Sequence, residues 1–214
     1  GGKYDRRSDK SNLRPEHQVT NYLDTLIETA ADFYEPYAGN WLVMGRGNHE
    51  TSILEKHETD LTQRLAAILG DRKKTTVHCL GYTGWVWFQF ECHNRRDRKI
   101  LWYTHGYGGG GPVTEDVIQS NRQRVYVENA DIMVSGHVHR AWTQEFVRHR
   151  VNKHGRVERR EGYYVKLPTY KDAYGVGTGG FETEKGMGPR PIGGYWLQFF
   201  MQNSREGIRM RVFK

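Results

Sequence analysis

Cysteine is scarce in this sequence, which contains only Cys79 and Cys92 among its 214 residues. This scarcity excludes a disulfide framework and a Cys-rich zinc site, and it makes a reducing cytosol the expected compartment. Long apolar runs are lacking too, because none approaches the roughly 20 residues that a membrane-spanning helix needs. No signal-peptide pattern opens the chain. We therefore expect a cytoplasmic protein without a membrane partner.

Acidic residues are fewer than basic ones, with 25 Asp and Glu against 32 Lys and Arg and a formal net charge of +7. A solvated basic surface explains such an excess, and so does an anionic partner, of which nucleic acid is the main candidate. Charge alone does not separate these two interpretations. Hydrophobic residues make up 36% of the chain, which is enough apolar material to predict a single domain over residues 1–214.

Apolar periodicity and capping residues predict three helices. Apolar side chains recur every three or four positions across residues 17–34, which is typical of an amphipathic helix. Residues 60–69 predict a second helix, ended by Gly70 just beyond its last turn. A third helix is predicted to be capped by Thr114 and to run to about Asn129.

Short apolar runs predict buried strands at residues 41–44, 100–104 and 131–135. Turn residues between β-favouring segments predict hairpins around residues 81–84, 152–155 and 203–207. Residues 171–194 are rich in glycine and aromatics and predict an irregular loop. Strands that alternate with helices, followed by antiparallel strands, predict an α/β fold of the layered sandwich type.

Metal-competent side chains follow each of the three buried strands. The first run leads into Gly45-Arg46-Gly47-Asn48-His49-Glu50, the second into His105-Gly106, and the third into Gly136-His137-Val138-His139. Ligands of open α/β sheets bind beyond the carboxyl ends of strands, so three adjacent strands would bring these side chains to one crevice. Histidine nitrogen and amide oxygen suit Zn, Mn, Fe or Ni. Taken singly, each segment is a weak signal. A lone Asn-His pair after a strand is usually a turn, the His137-Val138-His139 segment could be a polar strand end, and His105 could be a buried histidine.

Together, Gly47-Asn48-His49-Glu50, His105 and Gly136-His137-Val138-His139 resemble the last three signature blocks of the calcineurin-like metallophosphoesterase superfamily, in the same order and at similar spacings. The chain also has some likeness to phage-borne members. This resemblance implies a layered αββα sandwich. It also implies hydrolysis of phosphate esters by a hydroxide that two divalent ions activate, with Mn, Zn, Fe, Ni or Mg as the metal.

The resemblance also implies a role for each matching residue. Asn48, His105 and His137 would coordinate one metal ion, and His139 would coordinate the other. His49 would bind no metal and would instead protonate the leaving oxygen or stabilise the transition state.

Two further residues have a role that stays open. Glu50 would orient a neighbouring histidine, or it is an ordinary acidic residue at a helix start. Arg140, directly after the last histidine, would contact a phosphate, or it is an exposed arginine.

The family's two earlier blocks, an Asp-x-His and a Gly-Asp, are missing. Asp5 and Asp9 do not replace them, because no apolar strand precedes either residue. Those blocks supply the remaining ligands and the carboxylate that bridges the metals. We therefore expect a domain that is incomplete at its N-terminus and that begins just after the Gly-Asp block. Taken alone, this chain is expected to bind metal weakly and to be a poor catalyst.

The substrate class stays open at this level. Net basicity slightly favours a nuclease or phosphodiesterase over a phosphomonoesterase, and a protein or small-molecule phosphatase is the alternative. An alternative of another class is a non-catalytic nucleic-acid-binding module on the same scaffold. Four aromatic residues lie among basic clusters and would either stack on bases or form core: Trp142, Phe146, Tyr163 and Tyr164.

Overall fold

A computed structural model describes residues 15–92, 95–109, 111–175, 183, 185–201 and 207–214, with backbone alone at 92 and 95. The fold is mixed α/β, as predicted. Chain contacts divide it into two compact units, the first ending at Thr83 and the second beginning at Gly84. No helix in the described ranges is long and apolar enough to cross a bilayer.

Four α-helices lie in the described residues, namely α1 (Tyr22–Tyr34), α2 (Asn48–His57), α3 (Leu61–Lys73) and α4 (Val117–Tyr126). The strands are β1 (Val43–Met44), β2 (His78–Cys79), β3 (Thr83–Cys92), β4 (Arg95–Thr104), β5 (Ile132–Ser135), β6 (Trp142–Val151), β7 (Val157–Lys166), β8 (Trp196–Met201) and β9 (Ile208–Phe213). Short 3-10 segments cover Pro15–His17 and Glu35–Asn40.

The first unit packs α1 and α3 around a small apolar core. Its buried members are Ala31, Ala38, Met44, Ala66, Leu69 and Val77. The helix α3 begins at a true cap, since the Asp60 carboxylate accepts the Gln63 N–H at 3.1 Å. Strand β1 pairs in parallel with β2, with Val43 opposite His78.

Several boundaries in the first unit differ from the prediction. Helix α1 begins at Tyr22 rather than at residue 17. Helix α3 continues through Gly70 to Lys73, because the left-handed residue that ends it is Lys74. Gly70 is needed for a close approach instead, since a Cβ there would lie 2.9 Å from the Thr75 carbonyl oxygen. The hairpin predicted around residues 81–84 is wrong, because β2 pairs with β1 and not with β3.

The second unit is built on a five-stranded sheet in the order β3-β4-β5-β7-β6. Strands β4, β5 and β7 are mutually parallel, and β6 runs antiparallel to β7. Helix α4 packs on one face over a core of Trp102, Val127, Ala130, Met133 and Tyr164. On the other face lies the β8–β9 hairpin, whose Phe199 ring is 5.0 Å from the rings of Phe88 and Phe90.

The strands predicted at 100–104 and 131–135 are confirmed as β4 and β5, and the hairpins around residues 152–155 and 203–207 are confirmed as β6–β7 and β8–β9. The tip residues 202–206 of the second hairpin lie outside the described residues. The third helix is shorter than predicted, since α4 runs only from Val117 to Tyr126. Thr114 is not its cap, because Asp116 takes that position with a φ of 70°.

Candidate functional site

Strands β4 and β5 end side by side, which brings two of the predicted motifs together. They are parallel neighbours in register, with Thr104 opposite Ser135. The next residues therefore leave the same edge of the sheet, and the Gly136 N–H donates to the His105 carbonyl oxygen at 3.1 Å. The predicted adjacency of strands is confirmed for this pair. It is wrong for β1, which pairs with β2 in a separate two-stranded sheet.

His105 and His137 form a close pair at this edge. Nδ1 of His137 lies 3.2 Å from Nε2 of His105. The two rings meet edge to face, with centroids 5.1 Å apart and planes at 70°. Two nitrogens that bind one tetrahedral metal at about 2.0–2.1 Å lie about 3.3 Å from each other. The observed separation therefore suits two ligands of one ion, and a shared proton between the rings would suit it as well.

Glycine at position 106 allows this pairing. Gly106 has a φ of +95°, and a Cβ there would lie 3.0 Å from the Gly136 carbonyl oxygen and 3.3 Å from the His137 Cβ. A side chain would therefore press directly on the turn that carries His137. Only glycine meets both requirements, the left-handed backbone and the close approach.

Both histidines of the Gly136-His137-Val138-His139 segment have left-handed backbone conformations. The φ angle is 70° at His137 and 56° at His139. Such a conformation costs a residue with a Cβ about 1–2 kcal/mol. Strain of this kind is concentrated at active sites and ligand-binding turns, where the surrounding structure enforces it.

Arg140 is half-buried beside this turn and is not the exposed arginine of one interpretation. Its side chain is 17% exposed, and Nη1 pairs with the Glu115 carboxylate at 3.0 Å. Its Nε is buried and has no hydrogen-bond partner among the described residues. A buried guanidinium N–H without an acceptor is costly, so Arg140 is held at this turn by its surroundings and by the pair with Glu115.

A buried polar cluster lies behind the histidine pair, and the sequence motifs do not reveal it. Lys166 ends β7 opposite Ser135 and is only 1% exposed. Its ammonium donates to Ser135 Oγ at 2.8 Å and also bonds the Asp116 carboxylate. Desolvation lowers the pKa of Lys166, and the bond with Asp116 opposes that shift. The Tyr164 hydroxyl, 2.9 Å from Ser135 Oγ, completes the cluster.

The Asn48-His49 motif lies in the first unit, at the start of α2. Both residues are exposed in the first turn, where the unpaired N–H groups of a helix favour anions. The Glu50 carboxylate accepts the Gly47 N–H at 2.9 Å, so this residue stabilises the helix start. Arg46, which motif analysis does not single out, bonds Asp60 at 2.5 Å and has a buried Nε that makes no hydrogen bond within the described chain.

Not all the predicted residues are brought together by these contacts. His105 and His137 meet, with His139 two residues further along the same turn, whereas Asn48 and His49 belong to the other unit. Where the structure describes side chains, no three His, Cys, Asp or Glu residues form a group that could hold a metal ion. The histidine pair thus supplies two donors toward a metal, and the convergence of the complete set stays a prediction. Asp5 and Asp9 lie outside the described residues.

Comparison with known proteins adds no relative. No protein-family model matches the chain, and no curated protein matches it. The likeness to metallophosphoesterases therefore depends on the motif residues themselves and on their positions at strand ends.

Proposed function

We propose that this chain hydrolyses phosphate esters with the help of divalent metal ions, as a calcineurin-like metallophosphoesterase. The main support is the histidine pair, in which residues 32 positions apart in sequence place ring nitrogens 3.2 Å from each other. They do so at the carboxyl edge of two parallel strands, where α/β sheets bind ligands. The left-handed backbone conformations of His137 and His139 add to this support.

The proposed arrangement keeps the roles that the resemblance implies. Asn48, His105 and His137 would hold one ion, and His139 would hold the other within a layered αββα sandwich. Ions bound there would activate water for attack on phosphorus and neutralise the charge that develops. Because all four of these donors are neutral and no carboxylate bridges the ions, we expect the chain to hold metal weakly on its own.

Two side chains would act on the substrate directly. His49 is exposed at a helix N-terminus and would give a proton to the leaving oxygen, as histidines that act as general acids do. Arg140 would orient the phosphate with the part of its guanidinium that Glu115 does not hold. Because Arg140 is half-buried, its guanidinium has few conformations, and this favours a well-oriented contact with the phosphate.

Within this class we favour a phosphodiesterase or nuclease over a phosphomonoesterase, because the net charge of +7 suits a polyanion. A protein or small-molecule phosphatase is the alternative substrate assignment. A non-catalytic nucleic-acid-binding module is the alternative of another class. It is favoured by one observation, the lack of a three-residue metal group in the described part of the chain.

Calorimetric titration of the chain with Mn or Zn tests the proposal. We expect weak binding that is lost in His105→Ala and His137→Ala, because each change removes one of the paired donors. His154→Ala is the matched control, since His154 lies exposed in the β6–β7 turn. Tight binding of two ions per chain would contradict the expected weakness, and binding unaffected by either pair variant would contradict the site.

Hydrolysis separates the alternatives. A bis-aryl phosphate should be cleaved faster than a mono-aryl phosphate in the presence of Mn if the diesterase assignment is right. The reverse order would favour a phosphatase. No metal-dependent cleavage of either ester, by this chain or by a longer chain that includes it, would leave the non-catalytic module as the better assignment.

A further inference from the structure

An arginine-rich surface lies on the same side of the five-stranded sheet as α4, next to two clefts. The first cleft, of about 510 Å³, is lined by Arg150 and Arg160 among others. The second, of about 530 Å³, is lined by Trp87, Arg96, Arg98 and again Arg160. We call this surface the arginine face and define it by Trp85, Trp87, Arg96, Arg98, Arg150 and Arg160, all of which are exposed.

Strand geometry places these side chains on one side of the sheet. Arg148 lies opposite Arg160 in the β6–β7 register, and opposed residues share a face, as do residues two apart such as Arg148 and Arg150. Trp85 contacts Trp102 of the α4-side core, with ring centroids 6.5 Å apart. Trp87 lies two residues along β3 and shares that side.

The tryptophans of the arginine face are about half exposed. Trp85 is 51% exposed and Trp87 is 55% exposed. The Arg98 guanidinium lies over the Trp87 ring at 5.1 Å, which builds a stacked cation–aromatic platform. By contrast, Trp142 stacks on Tyr164 within the core, so the core interpretation holds for these two aromatics.

Most acids around the two clefts are held in hydrogen bonds or ion pairs. One of them, Glu158, pairs with Arg160 of the arginine face itself at 3.4 Å, and because both side chains are partly exposed this pair exchanges readily for another anion. The Asp97 carboxylate accepts backbone N–H groups of Arg98 and Ile208, and Asp131 accepts that of Ile100. Glu161 pairs with Arg159 at 3.2 Å, away from the face. Glu91 pairs with Arg96 at 3.0 Å, but both side chains are highly exposed, so this pair exchanges readily for another anion. Glu128 is the remaining acid among the described residues that line the clefts.

We propose that the arginine face binds single-stranded nucleic acid, with phosphates on its arginines and unpaired bases stacked on Trp85 and Trp87. Exposed aromatic rings among guanidiniums are the combination that holds single strands without sequence preference. A duplex would keep its bases paired and could not use the rings.

The arginine face is separate from the histidine pair. From Arg98 to His105 the chain advances seven residues along β4, or about 23 Å at about 3.3 Å per residue. Binding on the arginine face should therefore need no metal. This inference does not depend on the proposed hydrolysis, and it can be tested in its absence.

Fluorescence anisotropy with a labelled oligothymidylate of about 12 nucleotides, in EDTA, tests the proposal. Trp87→Ala should weaken binding by about 5- to 150-fold, the usual range for one lost stacking partner. Trp196→Ala is the matched control, because Trp196 is 70% exposed on β8 and lies outside the arginine face. His105→Ala should bind like the unaltered chain, which keeps this result distinct from the fate of the proposed hydrolysis.

The salt dependence of the affinity tests the charge component. Arg160→Gln should reduce the slope of log affinity against log salt by about 0.7, the value for one phosphate contact on a single strand. Arg159→Gln is the matched control, since adjacent strand residues point to opposite faces. Three results would overturn the proposal. The first is that the oligothymidylate does not bind at all. The second is that Trp87→Ala weakens binding no more than Trp196→Ala, or that Arg160→Gln changes the salt slope no more than Arg159→Gln. The third is that duplex DNA or polyglutamate competes for the surface as well as the single strand does.

Discussion

Substitution of Gly106 by alanine should disturb the histidine pair through backbone contact. Gly106 has a φ of +95°, so an alanine there carries a left-handed cost of about 1–2 kcal/mol. The new Cβ would also lie 3.0 Å from the Gly136 carbonyl oxygen and 3.3 Å from the His137 Cβ. Neither neighbour is the flexible end of a side chain, so the turn itself must shift, at a cost of about 1–3 kcal/mol for an overpacked site. We expect a total loss of about 2–5 kcal/mol in the free energy of unfolding.

Gly108→Ala separates the two contributions. Gly108 has a φ of +82°, and apart from Gly108 and its two chain neighbours no atom of the described residues lies within 4 Å of the place that a Cβ would take, so it shares the backbone cost without the contact. Urea unfolding followed by circular dichroism should therefore show a loss of about 1–2 kcal/mol for Gly108→Ala. Metal titration should show weakened binding for Gly106→Ala alone. Equal destabilisation by both variants, or unchanged metal binding in Gly106→Ala, would refute the role assigned to the close approach.

Two further predictions concern the groups around the motifs. Lys166→Met leaves the Asp116 carboxylate buried without its cation and should lower the free energy of unfolding by about 3–5 kcal/mol, whereas Lys166→Met combined with Asp116→Leu should recover most of that loss in urea unfolding. A double variant as unstable as the single one would contradict this account. Glu50→Ala should cost about 1 kcal/mol by removing the acceptor for the Gly47 N–H, and Glu50→Gln should cost little because its amide oxygen still accepts. Equal losses in the two Glu50 variants would instead indicate that the charge matters.

The pairing of His105 with His137 could be predicted from sequence because it depends on local signals. Two short apolar runs predict parallel strands, and each histidine-bearing turn begins where its strand ends. Once β4 and β5 are neighbours, their register places the two turns together without further information. The strand-end rule therefore predicts one half of the candidate site well.

Other features depend on tertiary contacts that local patterns do not encode. In sequence, Gly70 is typical of the glycine that ends a helix. In the structure it lies inside α3, where the Thr75 carbonyl oxygen comes so close that a Cβ would not fit. The Gly81–Gly84 segment has the composition of a hairpin turn, but β2 finds its partner in β1. Lys166 ends a strand in sequence like any polar residue, and only the fold reveals that it is buried against Asp116.

Backbone strain gives a reason to regard His137 and His139 as functional. Glycine would adopt φ angles of 70° and 56° without the cost of about 1–2 kcal/mol that a Cβ brings, and asparagine would reduce it. A turn selected only for its shape would therefore favour those residues, as it does at Gly106. Histidine at both positions is explained if the imidazole rings are required for binding, because the free energy of binding then offsets the backbone strain. The contact of one of these rings with His105, at a separation that fits a shared ion, is consistent with that requirement.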